Sequence, residues 1–376
     1  MFYAYGVSMQ GAYHIKNDVV CQDAHRIIKT DGDMIVAAVA DGLGSEEHSD
    51  IASRLAVDTA AEYCSENITL LDGDEEILEK IQESFLIAQR IIEKTAMEAG
   101  HNLDQYDTTL TLAVVIKDAL YYGHSGDSGI IAMATDGAIY KVTDQQRDDM
   151  GRVFPLCFEE HWVFRRYDRP VGAVLLATDG MFETFFPVYI RDEKVNIHVS
   201  LACFFMDSQM LHFDEGEENV KDRMAEHIKR IDPLQVSDDK TIVVMVNESV
   251  HCERQPEEYY SEPDWDLLKR KFQDEWRRVA YPDLYRSEKT MKTEKEAKSD
   301  GSGAEDQKGS PYASRGPKNE TYRAVVRGRN DRVKRRNLTD EEIQHIKSSL
   351  AGNDPQKVLC LLRELHEKNH FADDGG

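Results

Sequence analysis

Met34-Ile35-Val36-Ala37-Ala38-Val39-Ala40-Asp41-Gly42-Leu43-Gly44 is the stretch on which the fold of this chain turns. Its first seven residues are apolar, too few to span a membrane but the length of a buried strand, and the run stops on an acid followed by glycine. Outward from it the same pattern returns. Strands are predicted over Thr109–Ile116, Leu120–Gly123, Ile130–Met133, Ala173–Ala177 and Thr241–Val246, each short, apolar or β-branched and bounded by Gly, Asp or Ser. Between the first strand and the second, two stretches have helical spacing instead. Ile51–Glu66 sets Leu55, Ala56, Thr59, Ala60, Tyr63 and Cys64 on one stripe, and Glu75–Ala99 does the same with Leu78, Ile81, Phe85, Ile91 and Ile92. Long helices against strands imply a layered fold.

The chain of 376 residues is 41% hydrophobic, enough to bury a sizeable core. Its formal charge of −24, from 46 basic and 70 acidic residues, disfavours nucleic acid and anionic membrane as partners of the whole protein. Residues 1–10 lack a basic stretch followed by an apolar one, so neither secretion by a signal peptide nor a membrane span is expected. Six scattered cysteines with no C-x-x-C spacing argue against a disulfide scaffold or zinc finger and fit a cytoplasmic location.

The informative feature is acidic. Asp23 sits in Cys21-Gln22-Asp23-Ala24, Asp41 follows the first strand, Asp127 lies in His124-Ser125-Gly126-Asp127-Ser128, Asp179 follows Leu176-Ala177-Thr178, and Asp238-Asp239 precede the last strand. Any one of these reads more readily as a turn. Together they place carboxylates at five strand ends, and converging carboxylates repel unless a cation neutralises them. An all-oxygen donor set selects Mg²⁺ or Mn²⁺ over Zn²⁺. Two such ions can lower the pKa of a bridging water and hold a phosphoryl oxygen for in-line attack.

On these residues the chain resembles the metal-dependent PP2C-type (PPM) protein serine/threonine phosphatases, in a divergent bacterial branch. The likeness covers about residues 4–247 and rests on six motifs in the family's order: those around Asp23, Asp41, Asp127, Asp179 and Asp238, with Asp107-Thr108-Thr109-Leu110 between them. It implies an α+β fold, an α-β-β-α sandwich of two mainly antiparallel sheets flanked by helices. It implies Asp41 bridging two core ions, Asp23 and the Gly42 carbonyl on one, Asp179 and Asp238 on the other, and Asp127 at a third ion, with Asp239 as a further candidate there. The activity implied is hydrolysis of phosphoserine and phosphothreonine on proteins by a hydroxide bridging two Mn²⁺ or Mg²⁺ ions, without a covalent intermediate. The substrate would be a phosphoprotein made by a serine/threonine kinase, in a signalling role.

Two positions depart from the family's pattern. Where members carry an Arg for substrate phosphate this chain has Asp18, leaving His14 as a candidate phosphate contact or an ordinary loop histidine. Leu43 follows Gly42 where many members have a His, so His48 is the nearest candidate general acid, with a solvated helix start as the other reading. Arg147, Arg152, Arg165 and Arg166 fall where a flap beside the cleft is expected; one of them could replace the phosphate contact, though each taken singly reads more readily as solvated surface. His124 reads either as a metal-shell residue or as structural. A function of another class stays open, a pseudophosphatase or regulatory module that binds a phosphoprotein. The missing Arg favours it and the complete carboxylate set argues against it.

Composition divides the chain into residues 1–250, the phosphatase-like domain; 251–284, a charged helical extension with Trp265, Leu268, Phe272 and Trp276 on one face; 285–337, a disordered linker; and 338–376, a small helical C-terminal segment. The linker ends in seven basic residues between Tyr322 and Arg336 against Asp331 alone. The Val358–Leu365 stripe is a candidate docking helix for a protein partner or, equally, one half of a small self-packed helical hairpin.

Overall fold

The computed structural model describes residues 1–280 apart from Asp31, Asp192 and Lys194. In chain order the elements are β1 (Phe2–Met9), α1 (Ala12–Lys16), β2 (Asp23–Lys29), β3 (Met34–Asp41), α2 (Ser49–Asn67), α3 (Asp74–Ala99), β4 (Leu110–Ile116), β5 (Ala119–Ser125), β6 (Gly129–Ala134) and β7 (Ile139–Lys141). There follow β8 (Val163–Arg166), β9 (Val171–Ala177), α4 (Asp179–Phe185), α5 (Val199–Met206), α6 (Ser208–Leu211), α7 (Glu217–Lys229), β10 (Lys240–Asn247) and α8 (Trp265–Ala280).

Ten strands form two five-stranded sheets, one ordered β1-β10-β9-β6-β7 and the other β2-β3-β4-β5-β8, with every pairing antiparallel. Side-chain alternation along each strand builds three apolar layers. In β3, Ile35, Ala37 and Val39 point to the layer between the sheets, together with Val243 and Met245 of β10 and Val174 and Leu176 of β9. Val36, Ala38 and Ala40 face the other way, onto α2 and α3. On the far side Leu175, Ile242 and Val244 pack under Phe182, Phe185, Phe205 and Met224 from α4, α5 and α7. The fold is thus an α-β-β-α sandwich, and the near-continuous apolar runs of β3, β9 and β10 follow from burial on both faces.

Helix α3 illustrates how the sequence sets an element. It opens on Asp74, Glu75 and Glu76, which favour a helix N-terminus, and Gly100 closes it in the left-handed region at φ +73°. Ile77, Ile81, Phe85, Ala88, Ile92 and Ala96 recur at helical spacing and are all buried. The sequence reading located both long helices and six strands to within about two residues at each end. It did not assign β1, β2, β7 or β8, which are the edge strands of the two sheets and which carry shorter or less regular apolar runs than the central strands.

Helix α8 lies on the segment after α4. Leu268 is buried, Phe272 meets Tyr189 edge-on at 5.4 Å, and Trp265 meets His198 at 4.8 Å. Trp276, expected on the same face, is 52% exposed. No helix among the described residues is long and apolar enough to cross a membrane. The linker, its basic cluster and the 338–376 segment lie outside the described residues.

Phe85 is fully buried and takes the edges of Trp162 and Phe164 at 5.7 and 5.1 Å. Phe85→Ala should lower stability by about 3–5 kcal/mol, the range for emptying an aromatic site in a packed core, as read from a denaturant melt.

Candidate metal centre

The carboxylates meet because the strand ends meet. Asp23 opens β2 and Asp41 closes β3, and the register of that pair sets the two residues opposite each other. Asp179 begins α4 directly after β9, whose Ala177 lies opposite Ile242 of β10, so Asp179 and the Asp238-Asp239 lead into β10 come to the same end of their sheet. Asp127 lies between β5 of one sheet and β6 of the other. One carboxylate oxygen each from Asp41, Asp127 and Asp179 lie within 4.8 Å of one another, and His14, Asp238 and Asp239 form a second such group.

The backbone at Asp41 is clamped on both sides. Thr109 N–H donates to the Asp41 carbonyl at 2.8 Å, Thr108 Oγ1 donates to it at 3.0 Å, and Asp41 N–H donates to Thr109 Oγ1 at 2.9 Å. This is the work of the Asp107-Thr108-Thr109 motif. Gly42 has no space for a side chain, since a Cβ there would stand 2.5 Å from the Ser49 carbonyl oxygen. Asp23 accepts from Thr178 Oγ1 at 2.7 Å. Asp239 accepts the N–H groups of Gly11 and Gln22, each at 2.6 Å, which ties α1 and the approach to β2 onto the start of β10.

Burial, then mutual repulsion, pushes the Asp23, Asp41 and Asp179 carboxyls well above the usual carboxylate range. For Asp41 the repelling groups are Asp179, Asp23, Asp127 and Asp238, which makes it the centre of the set. Burial raises Asp127 as well, opposed by the Arg147 guanidinium. That arginine is the principal residue the sequence reading misplaced. Rather than facing a substrate, Arg147 bonds Asp127 from Nε at 2.9 Å and from Nη2 at 2.7 Å, and its Nη2 reaches Asp179 at 3.1 Å and Glu183 at 3.0 Å. Glu183 was not anticipated at all; one turn into α4 from Asp179, it had no strand end to mark it.

The oxygen-only set around Asp41 suits a hard divalent cation. One atom supports this directly: Asp127 Oδ1 is buried and has no hydrogen-bond partner, an arrangement a cation would satisfy.

The histidines divide sharply. His124 is buried, bonds Thr111 Oγ1 at 2.9 Å and the Asp144 carbonyl at 3.0 Å, and burial lowers its pKa to about 4, so it is structural. His48 sits at the N-cap of α2 with its ring stacked on His101 at 4.1 Å and tilted against Tyr106. His14 is 4% exposed, with Nδ1 2.8 Å from Asp239 Oδ1 and Nε2 4.0 Å from Asp238 Oδ1. Asp239, expected beside Asp127, instead groups with His14 and Asp238, because its oxygens are drawn to the Gly11 and Gln22 amides. Asp127 in turn groups with Asp41 and Asp179. Asp18, in the family's Arg position, is exposed with a left-handed φ of +55°. Among the other candidate arginines, Arg152 pairs with Asp148 and Arg166 with Asp74.

A sequence profile of the family described as Protein phosphatase 2C matches residues 10–229, more than half of the chain. Similar solved structures include a bacterial serine phosphatase, 15% identical with a TM-score of 0.44 over 68% of this chain and 100% of that one. The serine/threonine phosphatase Stp1 from Staphylococcus aureus is 15% identical with a TM-score of 0.43 over 66% and 96%. The S. agalactiae serine/threonine phosphatase is 14% identical with a TM-score of 0.45 over 66% and 100%. No curated protein sequence matches the chain.

A carboxyl whose pKa is higher folded than unfolded gives its full share of stability only below its unfolded value of about 4 and loses it as pH rises through the folded value. With Asp23, Asp41 and Asp179 all raised, the chelator-treated protein should melt at a lower temperature near pH 8 than near pH 5. Asp41→Asn removes the central charge, so under chelation near neutral pH it should gain on the order of 1 kcal/mol. Mn²⁺ should then raise the melting temperature of the wild type by more than that of the variant.

Proposed function

The chain belongs to the protein phosphatase 2C family and is a protein serine/threonine phosphatase, and from that premise we propose that it hydrolyses phosphoserine and phosphothreonine with a pair of Mn²⁺ or Mg²⁺ ions and no phosphoenzyme. The observation that carries this reading is Asp41, a half-buried carboxylate pressed on by four others from separate segments. In this reading Asp41 serves both ions, Asp23 and the Gly42 carbonyl serve one, and Asp179 and Asp238 serve the other, with Asp127 completing the enclosure. When bound, such ions lower the pKa of a water and offset the charge of the phosphate, so the chain need supply no nucleophile of its own.

The chain's own groups hold the geometry. Thr108 and Thr109 fix the height of Asp41, Thr178 orients Asp23, and Arg147 draws Asp127 and Asp179 together. These contacts fix the backbone of Asp41 and the carboxylates of Asp23, Asp127 and Asp179, and small misplacements in such sites are costly to rate. For the leaving oxygen, His48 is the proposed proton donor, held at the start of α2 by its stack on His101. The phosphoprotein substrate is the product of a serine/threonine kinase, which places the enzyme opposite such a kinase in a signalling exchange.

The full chain in Mn²⁺ should hydrolyse p-nitrophenyl phosphate and a phosphothreonine peptide. Asp41→Asn and Asp179→Asn should each reduce both rates by more than about 100-fold, beyond the usual effect of altering a residue behind a metal ligand. Calorimetry that finds Mn²⁺ bound without turnover would favour the pseudophosphatase alternative instead. His48→Gln should slow the peptide far more than p-nitrophenyl phosphate, whose leaving group departs without a proton; equal slowing of both would remove His48 from the reaction.

A further inference from the structure

The second cluster of possible ligands differs chemically from the first because it contains an imidazole. His14 lies on α1, and the N–H of Gly11, just before that helix, donates to Asp239. Asp238 and Asp239 are adjacent at the start of β10, and one atom from each of the three residues lies within 4.8 Å of the other two.

His14 Nδ1 and Asp239 Oδ1 are 2.8 Å apart, yet the direction is not that of a hydrogen bond, and Nδ1 is left buried without a partner. With the imidazole proton on Nε2, the Nδ1 lone pair and the carboxylate oxygen would both be met by a positive centre standing off the line between them. Two donors at right angles about 2.1 Å from one octahedral ion lie about 3.0 Å from each other, close to the separation observed. Asp239 retains capacity for this role, since each carboxylate oxygen has about two acceptor positions and each accepts one backbone N–H here. The charge balance agrees: Asp239 is the foremost carboxylate pressing on Asp23, and Asp238 presses on it too. A second buried polar atom without a partner, Gln22 Oε1, borders the same space. A Cβ built on Gly44 would stand 3.6 Å from that oxygen and 3.9 Å from His14 Nε2.

We propose that His14, Asp238 and Asp239 form a nitrogen-containing divalent-cation site beside the all-oxygen cluster of Asp41, Asp127 and Asp179. Because imidazole suits transition ions and Mg²⁺ strongly prefers oxygen, the site takes Mn²⁺ or a later transition ion in preference to Mg²⁺. It therefore gives His14 a ligand's place rather than contact with substrate phosphate. The inference rests on the reading of Asp238 as a ligand, and it predicts a metal preference that oxygen ligands alone would not confer.

Full-length protein loaded with Mn²⁺ and examined by pulsed electron paramagnetic resonance tests it, since an imidazole bound to the ion modulates the echo at nitrogen frequencies. The wild type should show that modulation, and should keep the ion responsible when Mg²⁺ is in large excess. His14→Gln should lose both, with circular dichroism reporting whether the variant is folded. Asp41→Asn should keep the nitrogen signal while losing phosphatase activity, so a failed catalytic reading and a failed imidazole site give different results. A wild-type spectrum with no nitrogen modulation, or a signal that survives in His14→Gln, overturns the proposal whatever the catalytic assays return.

Discussion

Gathering like charge at one end of an apolar sandwich is the constraint on which the rest of this protein depends. Two unit charges about 4 Å apart near a protein surface repel by about 4 kcal/mol, whereas fully burying a large apolar side chain contributes about 1.5–3 kcal/mol. Each close carboxylate pair therefore offsets the burial of roughly two core residues. The three apolar layers supply that stabilisation: strands β3, β9 and β10 are covered on both faces, so the ends that carry Asp41, Asp179 and Asp238 are the ends of the best-packed strands.

The acids are handled in two ways. Asp239 is met by backbone amides, which neither move nor titrate, and so it also serves to fasten α1 and the approach to β2 to the start of β10. Asp127 and Asp179 are met by the mobile guanidinium of Arg147, which can neutralise them while leaving Asp127 Oδ1 without a partner. The fixed amides hold Asp239 in one place while leaving acceptor positions on its oxygens, and the guanidinium takes up part of the charge of Asp127 and Asp179.

Histidine shows how little a residue type says without its surroundings. His124 is closed in by Thr111 and Asp144 and kept neutral by burial, while His48 is stacked against a second histidine at a helix start. His25, half-buried with its Nδ1 2.7 Å from Ser8 Oγ, is likewise lowered to about 4 by loss of solvation. Of these four, His14 is the one that stands among carboxylates with a buried nitrogen lacking a hydrogen-bond partner.

The sequence by itself determined the layered class, the two long helices, the central strands and the acids at their ends, because period, run length and the Asp-Gly punctuation are local signals. It did not reveal the edge strands β1, β2, β7 and β8, whose apolar runs are shorter or less regular, or Glu183, which has no motif of its own. Only the tertiary structure decided that Arg147 turns inward to three carboxylates, that Asp239 joins His14 rather than Asp127, and that His48 is held in a stack. Each of those outcomes depends on which segments the two sheets bring within a few ångströms of one another. Electrostatic pairing acts across that gap in space, and residues such as Gly11 and Asp239, more than two hundred positions apart, leave no trace of it in their spacing.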